Sequence, residues 1–158
     1  MILLESYSNP AKLCLAAAAA PLDNGAKEQG DRRELQAHSL RVLVVEDEFF
    51  ISLHTKGLLQ ALGHVVVAIA VSADEAVNIA ERERPDVVLM DIRLIGARDG
   101  IAAAEEIRRR FDIGSIFVTA HTDPQTRQRA EAVRPLGFLE KPLTEQRLRL
   151  GLSGVAPQ

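Results

Sequence analysis

From Leu40 onward the chain alternates between two kinds of apolar pattern. Short, β-branched, nearly unbroken runs stand at Arg41–Glu46 (RVLVVE) and Pro85–Asp91 (PDVVLMD). Similar runs stand at Val65–Val71 and Ser115–Thr119, and a weaker one at Leu136–Glu140. This is how a strand reads when both of its faces are covered, as in a parallel sheet. Between these runs the spacing becomes helical. Phe49–Leu62 carries Ile51, Leu58, Leu59 and Leu62 on one predicted stripe and stops at Gly63. Ser72 with Glu75 has the form of a capping box, behind which Ala73, Ala76, Val77 and Ala80 recur at i, i+3, i+4 and i+7. Asp99 can cap a helix that turns Ala104, Ile107 and Phe111 inward. Asp123 followed by Pro124 is an N-cap with proline at the first helical position. Thr144 can cap the last helix, with Leu143 and Leu148 placed as a hydrophobic staple.

Five strands alternating strictly with five helices predict an α/β fold, a doubly wound five-stranded parallel sheet, because parallel strands need crossover connections. In such sheets ligands bind beyond the carboxyl ends of the strands. Residues 1–39 break the pattern. They hold Ala16–Ala20, the breakers Pro10, Pro21, Gly25 and Gly30, and a polar stretch from Asp23 to Glu34. Apart from Leu13–Ala20 no apolar periodicity appears there, and that run is short, with Lys12, offset by Glu5, too little charge for a signal peptide. The expected organisation is a flexible or partly helical extension over 1–39, a domain over 40–152 and a tail over 153–158.

Composition narrows the function classes. The net charge of −3 and a pI of about 5.8 lack the basic footprint of direct nucleic-acid binding. Cys14 is the only cysteine, which removes an internal disulfide framework and any multi-cysteine zinc site. No run reaches the ~18 apolar residues of a membrane span, so no membrane partner is expected and the expected location is the cytoplasm.

The chemistry gathers at the predicted strand ends. The first strand ends in Glu46-Asp47, followed by Glu48; the third ends in Asp91; the fourth ends in Thr119-Ala120; the fifth runs into Lys141-Pro142. Each alone has an ordinary explanation as a turn former, a cap or a solvated charge. Lys141, however, is one of only two lysines after residue 40, the other being Lys56. Carboxylates crowded together need a counter-charge, and a hard cation such as Mg²⁺ supplies it while keeping sites for phosphate oxygens. A carboxylate, Mg²⁺, an ammonium and a hydroxyl together are the parts of a phosphoryl transfer. No nucleotide cradle of the form GxxxxGK[ST] or GxGxxG accompanies them.

At these residues the chain resembles the receiver domain of two-component response regulators, over about 110 of its 158 residues. The matching motifs are VLVVEDE at 42–48, VVLMDIRL at 87–94, FVTAH at 117–121 and LEKP at 139–142. The resemblance implies a flavodoxin-like (βα)5 receiver fold of the stand-alone type. It implies that Asp91 is the phosphoacceptor, that Asp47 binds Mg²⁺ directly, that Glu46 helps through a bound water and that the main-chain carbonyl of Arg93 completes the metal site. It further implies that Lys141 holds the phosphoryl group, that Thr119 moves to hydrogen-bond it, that Phe138 is the aromatic switch residue and that Lys141-Pro142 is cis. Arg93 and His121, two residues after Asp91 and Thr119, are expected to tune the phosphoryl lifetime. Two features depart from the family: Asp91 to Gly100 is one residue longer than usual, with Ile95 where proline is common, and residues 1–39 have no counterpart. The 17 residues after Lys141 suffice for one helix and no output domain is expected.

The expected partners are a histidine kinase or phosphotransfer protein and a downstream protein. The charged segment 124–152 is the expected output face, suited to a homodimer of paired charges or to an acidic partner. Two other classes compete with this switch. A pseudo-receiver adaptor would not need the intact Glu46, Asp47, Asp91, Thr119 and Lys141 set. An aspartyl-phosphate phosphatase or phosphotransferase would commonly place a second acid where this chain has Arg93, and would carry a cap insertion.

Overall fold

Val42–Val45 is buried throughout, yet its side chains divide: Val42 and Val44 enter one apolar cluster, Leu43 and Val45 the other. A strand with two apolar faces needs helices on both sides of its sheet, and the chain supplies them. The computed structural model describes residues 39–120 and 123–157. The expected extension with its Ala-rich helix, and with it Cys14, lies outside these residues, as does His121.

The elements are β1 (Arg41–Val45), α1 (Phe49–Ala61), β2 (Val65–Ala70), α2 (Ala73–Glu83), β3 (Val87–Asp91), α3 (Gly100–Phe111), β4 (Gly114–Thr119), α4 (Pro124–Ala132), β5 (Gly137–Glu140) and α5 (Glu145–Leu152). The strands form one parallel sheet in the order β2-β1-β3-β4-β5. One face buries Ala76, Val77 and Ala80 of α2, Ala103, Ala104 and Ile107 of α3, and Ala130 of α4 around Phe117. The other buries Leu59 of α1 and Leu148 and Leu152 of α5 against Val44, Leu89 and Val118. The fold class read from the alternation is therefore the one present.

The helix starts follow local hydrogen-bond chemistry. Ser72, Asp99, Asp123 and Thr144 each accept the amide of the residue three positions on. The Ser72 box differs in one detail, since Glu75 Oε2 accepts from the amide of Val71, at 2.8 Å, rather than from Ser72. Leu143 and Leu148 are both buried, as the staple requires. The strand Pro85–Asp91 is shorter than expected, beginning at Val87; Asp86 instead exchanges two hydrogen bonds with the backbone of Arg41.

One expectation is corrected. The fully buried stripe of α1 is Ser52, Thr55 and Leu59, while Ile51, Leu58 and Leu62 are only half-buried. The helix is rotated so that small polar side chains meet the sheet, Ser52 being satisfied by its own turn through the Phe49 carbonyl at 2.8 Å. Phe49, Phe50 and Leu53 are left exposed as a result, Phe50 at 82%.

Candidate functional site

β1 and β3 lie side by side at the centre of the sheet. The chain leaves β1 for β2 on one side and β3 continues to β4 on the other, so the crevice beyond their ends is the topological switch point. Glu46 and Asp47 follow β1 and Asp91 ends β3, which brings the three carboxylates together for a purely topological reason. One oxygen from each lies within 4.8 Å of the others. Glu46 and Asp91 are buried and Asp47 is half-buried.

Lys141, at the end of β5, closes this cluster. Its Nζ donates to Asp91 Oδ2 and lies 2.6 Å from that oxygen and 2.6 Å from Glu46 Oε2. Burial pushes the Glu46 carboxyl above its ordinary value, with the charge of Asp91 adding and the hydrogen bond from Lys141 opposing. For Lys141 burial works downward, but the hydrogen bonds to Asp91 and Glu46 outweigh it and the ammonium is held above its usual range. Three carboxylates face one ammonium here. Such an oxygen-only, net-negative donor set fits a hard divalent cation such as Mg²⁺, which takes carboxylates together with carbonyls, waters and phosphate oxygens.

Asp91 is held from three sides. Its Oδ1 accepts the amide of Arg93 at 2.9 Å, its Oδ2 takes Lys141, and its backbone carbonyl is packed against Gly100 at the start of α3. The amide of Gly100 returns to the Ile92 carbonyl at 3.1 Å, closing the loop between Asp91 and α3. Ile95 in that loop is 80% exposed. Thr119 is buried at the end of β4, and its carbonyl accepts the Lys141 amide at 2.9 Å. Lys141-Pro142 is cis. Beside Lys141 an apolar cleft of about 520 Å³ opens between α1 and the segment after β5, walled by Phe50, Ile51, Pro142 and Leu143.

Phe138 is half-buried on β5, its ring tilted against fully buried Phe117 with centroids 5.7 Å apart. Arg93 is exposed and touches the site through its amide. Two contacts at the site carry no clear mark in the sequence. Gly100 leaves room for the Asp91 carbonyl, and its only signal was a glycine directly after a capping Asp99. Arg127, expected only as one charge of the 124–152 face, stacks on the Phe138 ring.

Comparison with known proteins agrees with this geometry. A family model described as the response regulator receiver domain matches residues 42–152. The chain is 35% identical over 112 residues to the phyllosphere-induced regulator PhyR of Methylorubrum extorquens, covering 70% of this chain and 41% of that protein. It is 35% identical over 104 residues to the transcriptional regulatory protein PdtaR of Mycobacterium tuberculosis, covering 66% of this chain and 50% of that protein. The chain thus spans half or less of the length of these curated relatives. Among solved structures, the signal receiver domain of a modulated diguanylate cyclase from Desulfovibrio desulfuricans matches with a TM-score of 0.71 at 34% identity, over 75% of this chain and 94% of that one.

Proposed function

The chain belongs to the response regulator receiver family, and from that premise we propose that Asp91 accepts a phosphoryl group from a histidine kinase or phosphotransfer protein and that the domain signals by protein–protein contact. The observation that carries this reading is Lys141 bridging Asp91 and Glu46 at 2.6 Å each, inside a three-carboxylate cluster. The ammonium already stands where a phosphoryl oxygen on Asp91 would need a counter-charge.

In the transfer, a carboxylate oxygen of Asp91 attacks phosphorus, and the bond from phosphorus to the donor's imidazole nitrogen breaks, with the electron pair leaving on that nitrogen. The amide of Arg93 holds one carboxylate oxygen, so the nucleophile is oriented before the donor arrives. Lys141 would exchange its contact with the free carboxylate for one with the new phosphoryl oxygens, and the Thr119 hydroxyl would add another. Glu46, Asp47, Asp91 and the carbonyl of Arg93 would hold Mg²⁺, which when bound supplies positive charge to offset that of the phosphoryl group. Arg93 and His121 would govern how readily water reaches phosphorus. On this reading the domain assists reactions of its own Asp91 and is a signalling switch rather than an enzyme with a separate substrate. Its relatives' names as regulators accord with that output.

The test is labelling by acetyl phosphate with Mg²⁺, read by intact mass. Wild type should gain one phosphoryl group and Asp91→Asn none, because the amide is a poor nucleophile. Calorimetry should show one Mg²⁺ site that Asp47→Ala removes and Lys141→Ala keeps. A wild type that takes no label while binding Mg²⁺ would favour the adaptor reading, and turnover of small phosphate esters would favour the enzyme.

A further inference from the structure

α4 is poorly anchored by apolar packing: of its nine residues only Ala130 is fully buried. Among the described residues, two of its arginines reach outward to other elements. Arg129 Nη2 donates to Asp99 Oδ2 at 2.7 Å, joining α4 to the cap of α3. Arg127 reaches the other way. Its guanidinium carbon lies 3.6 Å from the centroid of the Phe138 ring, and its Nε donates to Glu131 Oε1 at 2.8 Å, one turn along the same helix. Glu131 therefore aims the guanidinium, and the guanidinium covers the ring.

The ring is only half-buried against the core, so one face remains open to Arg127. Phe138 sits on β5, an edge strand, and packs against Phe117. Phe117 is its register partner on β4, two residues before Thr119 and on the same face of the sheet. Any inward movement of the ring changes its contact with Arg127 directly, because 3.6 Å is already close contact for a planar cation on a ring face. An aromatic ring without a hydroxyl cannot be retained by a hydrogen bond, so a cation on its face is the polar interaction open to it.

We propose that Arg127 is the positioning residue for Phe138, holding the ring in its resting seat so that the equilibrium of the switch is set by the Glu131–Arg127–Phe138 stack. This rests on the reading of the domain as a phosphorylation switch, and it names the group that opposes switching. Release of the guanidinium frees Arg127 at the same moment as the ring moves, so the charge presented by α4 changes together with the aromatic on β5. A ligand or modification can shift such a pair only by as much as it favours one seat over the other.

The test uses the full chain carrying 4-fluorophenylalanine at its five phenylalanines, with the Phe138 resonance assigned by its loss in Phe138→Leu. Fluorine spectra are recorded for wild type, Arg127→Lys, Arg127→Gln and Glu131→Gln, first without any phosphoryl mimic and then through a titration with Mg²⁺ and beryllofluoride. In Arg127→Gln the resting Phe138 resonance should shift toward its beryllofluoride-bound position. Half-saturation should need about threefold less beryllofluoride, the worth of one partly exposed cation–ring contact. Arg127→Lys, which keeps the cation, should stay close to wild type, and Glu131→Gln should fall between. A Phe138 resonance unmoved in Arg127→Gln, or moved equally in Arg127→Lys, overturns the proposal. The resting spectra decide this by themselves. Failure of wild type to bind beryllofluoride at all would instead count against the phosphoacceptor reading.

Discussion

Gly100 offers a direct probe of how the strand that ends in Asp91 is seated. It is the first residue of α3, and a Cβ added there would overlap the backbone carbonyl oxygen of Asp91, standing also 2.9 Å from the carbonyl carbon and 3.0 Å from Met90 Cγ. The obstructing atom is backbone, in the central part of the sheet, and cannot rotate aside. Overpacking of this kind costs about 1–3 kcal/mol, and an immovable partner puts Gly100→Ala near the upper end. Alanine's better helix propensity returns less than ~1 kcal/mol. The net loss of about 2 kcal/mol lowers the melting temperature by roughly 8 °C in a domain of this size. Gly57 is the matched control, lying within α1 with nothing inside 4 Å of its virtual Cβ. Gly57→Ala should gain about 0.5–1 kcal/mol and melt higher than wild type. Calorimetric melts of the three proteins, with urea unfolding as a check, are the assay. Labelling of Gly100→Ala by acetyl phosphate at a temperature where it is folded should also be slower, since the displaced atoms belong to Asp91. Gly100→Ala melting at or above wild type would show that α3 does not press on Asp91 as described.

Three further outcomes are expected. His64 accepts the Leu40 amide at Nδ1, 3.3 Å away, and burial lowers its pKa from 6.5; its contribution is present above that value and lost as pH falls through the folded one. The urea midpoint of wild type should therefore drop between about pH 7.5 and 5.5 by more than that of His64→Gln, and equal drops would refute the assignment. Ser115 Oγ is buried with no hydrogen-bond partner among the described residues, so Ser115→Ala should stabilise by about 1 kcal/mol, and destabilisation would mean the hydroxyl is satisfied. Arg98 joins Asp74 and Glu106 at 2.7 Å each, and Glu106 continues through Arg110 to Glu81. Arg98→Ala should melt a few degrees lower in dilute buffer, with the deficit narrowing at ~1 M salt, and a salt-independent deficit would assign it to packing instead.

The parts of the fold that were legible in the sequence are those set by local chemistry. Apolar runs covered on both faces marked the strands, and Ser72, Asp99, Asp123 and Thr144 marked the helix starts because a side-chain oxygen three residues from an amide is enough to cap it. The carboxylates of Glu46, Asp47 and Asp91 were legible as a group once the strand order was known, because parallel strands deliver their ends to one edge. Contacts across elements were not. The rotation of α1 depends on which small side chains the sheet admits, so Ser52 and Thr55 displaced the more apolar Ile51 and Leu58. α2 and α3 end in left-handed residues, Arg84 and Asp112, where no glycine announces a stop. The Arg127 stack and the closeness of Gly100 to Asp91 join residues that are 11 and 9 positions apart, and neither spacing has a periodic signature.

The switch depends on which carboxylate becomes phosphorylated. After labelling with acetyl phosphate and Mg²⁺, reduction by borohydride converts an aspartyl phosphate to homoserine, and peptide sequencing by mass spectrometry then locates it. Homoserine at position 91, in wild type and absent from Asp91→Asn, is the predicted result. Homoserine at position 47, a reduced glutamyl product at position 46, or no reducible acyl phosphate in a folded, Mg²⁺-binding protein would contradict it.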